Sequence, residues 1–162
     1  MGAFFYCYFT AYQENIATAL RALRETEFKA GRYLDAREAA EDGSMYELKF
    51  PPDANSPAPG PVHVSSRAAL DDFDGTGTRS ILDILYIADE PDLCTASPLP
   101  EEDLLLAFGT TQPTRDMVEK AFLDTSEANS ILDRVGRGEA RYVIVHDGDK
   151  PSQIFFMGYS FD

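Results

Sequence analysis

The residues whose spacing comes nearest to a metal-binding loop are Asp72, Asp74 and Asp83. With Asp72 at the first position of a calcium loop, Asp74 falls at the third, Thr76 at the fifth, Gly77 at the sixth and Asp83 at the twelfth. Oxygen ligands at these positions could surround a divalent cation. The match is partial. Thr76 is a poorer ligand than Asp or Asn, and Asp83 reaches less far than the usual Glu. Arg79 stands where an apolar residue is normal, and Asp83 falls inside an expected strand. An Asp-capped helix end followed by a glycine turn accounts for the same residues. That reading is favoured, and no metal and no cofactor are expected.

Nucleophilic catalysis would require Cys7 or Cys94 beside His63 or His146. Cys7 lies on the apolar face of a strand pattern, where a thiol is usually inert. Cys94 follows Asp-Glu-Pro-Asp-Leu, and nearby carboxylates raise a thiol's pKa. There is no Gly-x-Ser-x-Gly elbow and no His-Glu-x-x-His pair. Gly75-Thr-Gly77 is too short for a phosphate cradle, and a strand is expected after it. A carboxylate pair such as Asp83 with Asp89 does not stand out from the general acidity. No catalytic residue is assigned. A small carboxylate enzyme using a divalent cation near Asp72, Asp74 and Asp83 is kept as the alternative to a binding role.

Charge carries more information. The chain has 28 Asp and Glu against 14 Lys and Arg, a formal charge of -14. Nucleic-acid backbones would be repelled. Between Ser80 and Thr114 there is no Lys or Arg, while Asp83, Asp89, Glu90, Asp92, Glu101, Glu102 and Asp103 all occur there. Such a run is either a solvated surface or a face that attracts a basic partner. The first strand adds a second candidate surface. Phe5, Cys7, Phe9 and Ala11 alternate with Phe4, Tyr6, Tyr8, Thr10 and Tyr12. The tyrosine-bearing side suits a half-wet interface, unless residues 32–62 fold over it and make it a second core. The expected partner-binding residues are therefore Tyr6, Tyr8, Tyr12, Asp89, Glu90, Asp92, Glu101, Glu102 and Asp103.

These residues must be placed by a small set of elements. Residues 3–12 read as a strand and about 14–30 as a helix, with Ile16, Leu20 and Leu23 in its apolar stripe and Gly31 beyond its end. A short helix over Ala36–Ala40 and a short strand over Met45–Phe50 are possible within 32–62. Pro51–Pro61 has five prolines and cannot be regular structure. Ser65 or Ser66 caps a short helix to Asp72. Arg79–Ile87, apolar on both faces, reads as a central strand. Pro100 suits the first turn of a helix over about 100–108. Thr114 opens a long helix to about Val135. Arg141–His146 and Ser152–Phe161 form a hairpin around Asp147-Gly-Asp-Lys-Pro151. Both chain ends are too aromatic to be open sheet edges and are expected to lie side by side or one strand apart. The fold class is α+β, with a mostly antiparallel sheet that includes both terminal strands and helices packed mainly on one face.

With 162 residues and 44% hydrophobic content, one domain is expected. No stretch approaches the ~20 apolar residues of a membrane span. The N-terminus has no basic, apolar, cleavable pattern, and two widely separated cysteines suit a reducing compartment, so a cytoplasmic protein is expected. The phrases Arg79-Ser-Ile-Leu-Asp-Ile84, Phe108-Gly-Thr-Thr-Gln-Pro113 and Ile154-Phe-Phe-Met-Gly-Tyr-Ser-Phe-Asp162 resemble those of small bacterial proteins without an assigned activity. That resemblance implies no functional residues. The reading that follows from charge and aromatic patterning is an acidic protein-binding module that neutralises a basic protein, of the immunity or antitoxin kind.

Overall fold

In the computed structural model, which describes residues 3–34, 49–73, 75–123 and 129–161, the two aromatic ends of the chain pair with each other. In chain order the elements are β1 (Phe5–Ala11), α1 (Ile16–Ala30), α2 (Ser66–Asp72), a 3-10 turn (Ile81–Asp83), β2 (Tyr86–Ile87), β3 (Thr95–Pro98), α3 (Glu101–Phe108), α4 (Arg115–Phe122), α5 (Asn129–Leu132), β4 (Ala140–Asp147) and β5 (Lys150–Tyr159). The strands form one sheet in the order β1-β5-β4-β3-β2.

The helices begin and end where local chemistry directs. Asn15 Oδ1 accepts from the Thr18 amide at 3.0 Å and opens α1. Gly31, at φ +71°, closes it, and a Cβ there would stand 2.1 Å from the Gly60 carbonyl oxygen. Only glycine lets the end of the proline-rich segment seat against the helix terminus. The Tyr33 hydroxyl continues that attachment by accepting from the backbone amides of Val62 and His63. Ser65 caps α2 and Thr114 caps α4.

The sheet is mixed, which corrects the expectation of a mostly antiparallel one. Strands β1/β5 and β4/β5 are antiparallel, while β2/β3 and β3/β4 are parallel. The path through α3, α4 and α5 brings the chain back beside β3 in the same direction, as a crossover does. β3 was not foreseen. It is short and carries Thr95, Ser97 and Pro98, with little of the β-branched and aromatic character that marks a strand.

The segment Arg79–Ile87 is also corrected. It is a 3-10 turn followed by a two-residue strand at the sheet's edge, not a central strand. Ile81, Leu82 and Ile84 are fully buried, which explains the strand-like apolar run. The backbone is diverted by polar side chains: Ser80 Oγ accepts from the Leu82 amide, and Asp83 Oδ1 accepts from the Thr78 amide at 2.7 Å. Of the long helix expected from Thr114 to Val135, α4 and α5 are the described parts. The short helix expected over 36–40 and most of the strand expected over 45–50 lie outside the described residues.

Side-chain alternation divides the core in two. Tyr6, Tyr8, Ile154 and Phe156 face one side of the sheet, under Ala19, Leu20 and Leu23 of α1 and under Ile81 and Ile84. Cys7, Val143, Val145, Phe155 and Met157 face the other, against Leu104 of α3, Val118 and Phe122 of α4 and Ile131 of α5. Residues of α1 contribute to the first cluster and residues of α3, α4 and α5 to the second. Among the described residues β1 ends the strand order, so the terminal strands are adjacent as anticipated but one of them is an edge. The aromatic content of β1 is accounted for by burial on its two faces instead of by strands on both flanks. No helix of the described residues is long and apolar enough to cross a membrane.

Candidate functional site

Three prolines shape the region that follows the ends of β2 and β3. Pro91 comes after β2, while Pro98 ends β3 and Pro100 leads into α3. None can donate a ladder hydrogen bond, because none has an amide hydrogen. Pro100 is the residue before the first helical one, and its carbonyl accepts from the amides of Asp103 and Leu104. The first turn of α3 therefore presents Glu101, Glu102 and Asp103 at the positive end of the helix dipole.

Around these turns lies a cleft of about 380 Å³. Asp89 and Glu90 line it from the segment after β2, and Glu102 and Asp103 from α3. Arg134, just after α5, and Arg141 of β4 line it from the other side. Asp103 is only 6% exposed, and its Oδ1 lies 2.9 Å from Arg134 Nη2. Arg134 Nε also donates to the Ser130 carbonyl, which fixes the guanidinium from its own helix turn. Arg141 is buried; it donates to the Ala140 carbonyl at 3.0 Å and stands 3.4 Å from Glu139 Oε2. Ser97 is opposite Arg141 in the parallel pairing, and so shares its sheet face. The buried Ser97 Oγ has no hydrogen-bond partner among the described residues.

Four of the nine expected partner-binding residues, Asp89, Glu90, Glu102 and Asp103, are thus brought to one cleft. Glu101 and Asp92 are exposed nearby in sequence but do not line it; Asp92 Oδ1 accepts from the Leu93 amide at 2.7 Å. The tyrosine face is corrected. Tyr6 and Tyr8 are fully buried in the core, and Tyr12 is partly buried against the same cluster. The Tyr8 ring lies 5.3 Å from that of Phe50, and its hydroxyl accepts from the Ile81 amide. Burial pushes both phenols well above their ordinary range. A partner could not reach either ring without opening the core. Among the described residues the cover comes from α1, the Ile81–Ile84 segment and Phe50.

Of the carboxylates weighed as a calcium loop, Asp72 and Asp83 are described and make other contacts. Asp83 is buried and its Oδ1 accepts from both the amide and the hydroxyl of Thr78. Asp72 is half exposed and its Oδ2 stands 3.0 Å from His63 Nε2. Asp74 lies outside the described residues. Among the described residues no group of three or more His, Cys, Asp and Glu is arranged to hold a metal ion. His63 Nδ1 is 2.9 Å from the Tyr33 hydroxyl, so this ring bridges Tyr33 and Asp72 and ties the proline-rich segment to α2. Both cysteines are free; burial pushes the Cys7 thiol up to about 12, and burial with Asp83 and Asp92 raises that of Cys94.

Sequence reasoning missed Arg134, Arg141 and Ser97. Arg134 and Arg141 are distant in sequence from the acids of the cleft, Ser97 lies between those acids in the chain, and no local pattern marks any of the three. No family model matches this chain, and no curated protein or solved structure is significantly similar to it.

Proposed function

We propose that the protein binds a basic protein partner at the cleft between the β2–β3 region and α3, and so neutralises it. The observation that carries this reading is the convergence of Asp89, Glu90, Glu102 and Asp103 on one concave surface, where they outnumber Arg134 and Arg141, in a chain of formal charge -14. A concave acidic surface concentrates negative potential and raises the encounter rate with a cationic partner. Anchoring passes from the tyrosines to leucines. Leu105 and Leu106, on the same helix as Glu102 and Asp103, are 48% and 68% exposed. Exposed apolar side chains beside an acidic rim suit a protein interface better than free solvent does. The free cysteines fit a reducing, cytoplasmic setting.

The test is capture from a lysate of the native host on immobilised wild-type protein and on the Glu90→Lys, Glu102→Lys double variant. A basic polypeptide retained by the first and lost by the second, with retention falling as salt rises, supports the reading. Retention that ignores both the variant and the salt sinks it, as does turnover of a small molecule with no partner present.

A further inference from the structure

A second cleft, of about 360 Å³, opens on another part of the molecule, between α1 and β2. Its lining is apolar where Ala17 and Leu20 of α1 meet Leu85 and Ile87. Tyr86 stands at its rim, 66% exposed. The remaining two lining residues are Arg21 and Arg24.

These arginines are unusual in this chain. They are three residues apart on one helix, a spacing that makes them neighbours and sets like charges against each other. The other basic residues of this region are paired: Lys29 with Glu25 and Arg32 with Glu27. Neither Arg21 nor Arg24 forms an ion pair among the described residues, although acids outnumber bases 28 to 14. Arg24 is partly buried. Its Nη2 donates to the Leu82 carbonyl at 3.1 Å, and its buried Nε has no acceptor among the described residues. Burial lowers its pKa, with Asp83 acting in the opposite direction. A buried donor left unmade costs free energy that an added acceptor recovers. A ligand oxygen that reached Nε would add a bond there without displacing one.

We propose that this cleft binds a carboxylate carried on an apolar or aromatic body. The carboxylate would meet Arg21 and Arg24, whose forked donors match its two oxygens. The body would lie on Leu20 and Ile87 with the Tyr86 ring against it. The volume suits a small molecule or one terminal residue of a peptide. The two sources share the same chemistry.

The probe is phenylacetate, titrated into the full chain while the Arg Nε–Hε and Tyr86 amide resonances are followed. Phenylacetamide, its neutral isostere, and inorganic phosphate are run in parallel. Expected is millimolar binding of phenylacetate that moves the Arg21, Arg24 and Tyr86 signals. Phenylacetamide should leave them in place, and phosphate should bind at least about tenfold more weakly, since it lacks the apolar body. A short peptide ending in Phe with a free carboxylate, compared with its amide, distinguishes the peptide source from the free acid. Arg24→Ala could unfold the Leu82 contact, so Arg21→Ala, at an exposed position, is the deciding variant and should weaken phenylacetate about fivefold or more. Equal shifts with phenylacetamide, equal affinity for phosphate, or indifference to Arg21→Ala would each overturn the proposal. The Glu90→Lys, Glu102→Lys variant should bind phenylacetate normally, which keeps this site separate from the acidic cleft.

Discussion

Asp103 Oδ1 and Arg134 Nη2 lie 2.9 Å apart in the acidic cleft, a nearly buried carboxylate held by a half-exposed guanidinium. The two residues are brought together only by the path from α3 through α5. Removing Arg134 leaves Asp103 buried with its ion-pair partner gone. Arg134→Ala should therefore lower stability by about 1 kcal/mol, the solvent around Arg134 keeping the cost below that of a wholly buried pair. Urea unfolding measures it. In a double-mutant cycle with Asp103→Asn the coupling should be about 0.5–1 kcal/mol, and strict additivity would show that the pair contributes nothing.

Tyr8 is a core residue, and its variants should report on folding. Tyr8→Ala should cost about 3–5 kcal/mol, as large aromatic truncations in cores do. Tyr8→Phe keeps the ring and loses only the hydroxyl that accepts from the Ile81 amide, for about 1 kcal/mol. A well-folded Tyr8→Ala protein with unchanged melting would mean that the ring is not enclosed.

Alkaline stability follows from three buried acids. Cys7 is pushed up to about 12, and Tyr6 and Tyr8 are raised well above 10.0, all chiefly by burial. In the unfolded chain these groups ionise from about pH 8.5 for the thiol and about pH 10 for the phenols. The folded state holds its protons to higher pH. The stabilisation is therefore complete below the unfolded values and is lost as pH rises through them toward the folded ones. Melting temperature should fall progressively above about pH 9, and Tyr8→Phe should reduce the slope. A flat profile to pH 11 would contradict the burial of these groups.

Thiol chemistry gives an independent reading of the same face. Native Cys7 should resist alkylation at pH 8 and react only on unfolding, because it is both buried and protonated. Mass spectrometry of time-resolved labelling locates the modified residue. Labelling of Cys7 ahead of Cys94 without denaturant would show that the second core has been misplaced.

The N-terminal strand should be indispensable. β1 pairs with β5 from Phe5 opposite Tyr159 to Ala11 opposite Gln153, and it supplies Tyr6 and Tyr8 to one cluster and Cys7 to the other. Deleting residues 1–12 should abolish cooperative unfolding, observed as the loss of a sharp thermal transition. A truncated chain that still melts sharply would disprove it.

Local pattern was enough for much of this molecule. The aromatic alternation of residues 5–11 and 154–159 marks β1 and β5, and Asp147-Gly148-Asp149-Lys150 turns β4 into β5 with Gly148 at φ +63°. Asn15 and Gly31 bound α1, and Ser65 and Thr114 open their helices, because caps and turns depend on residues within a few positions of each other. The acidity between Ser80 and Thr114 was equally legible. What tertiary structure alone decided is how these pieces face one another. Arg79–Ile87 has a strand's apolar run, yet Ser80, Thr78 and Asp83 capture the backbone and only Tyr86 and Ile87 join the sheet. Whether Tyr6 and Tyr8 met solvent depended on where α1 came to rest, since a strand's alternation separates two faces without saying what covers either. Asp103 met Arg134, and Ser97 met Arg141, through a crossover whose direction no short window records. Hydrogen bonds within a turn are set by neighbours in sequence, whereas the cleft is set by packing between residues far apart in it.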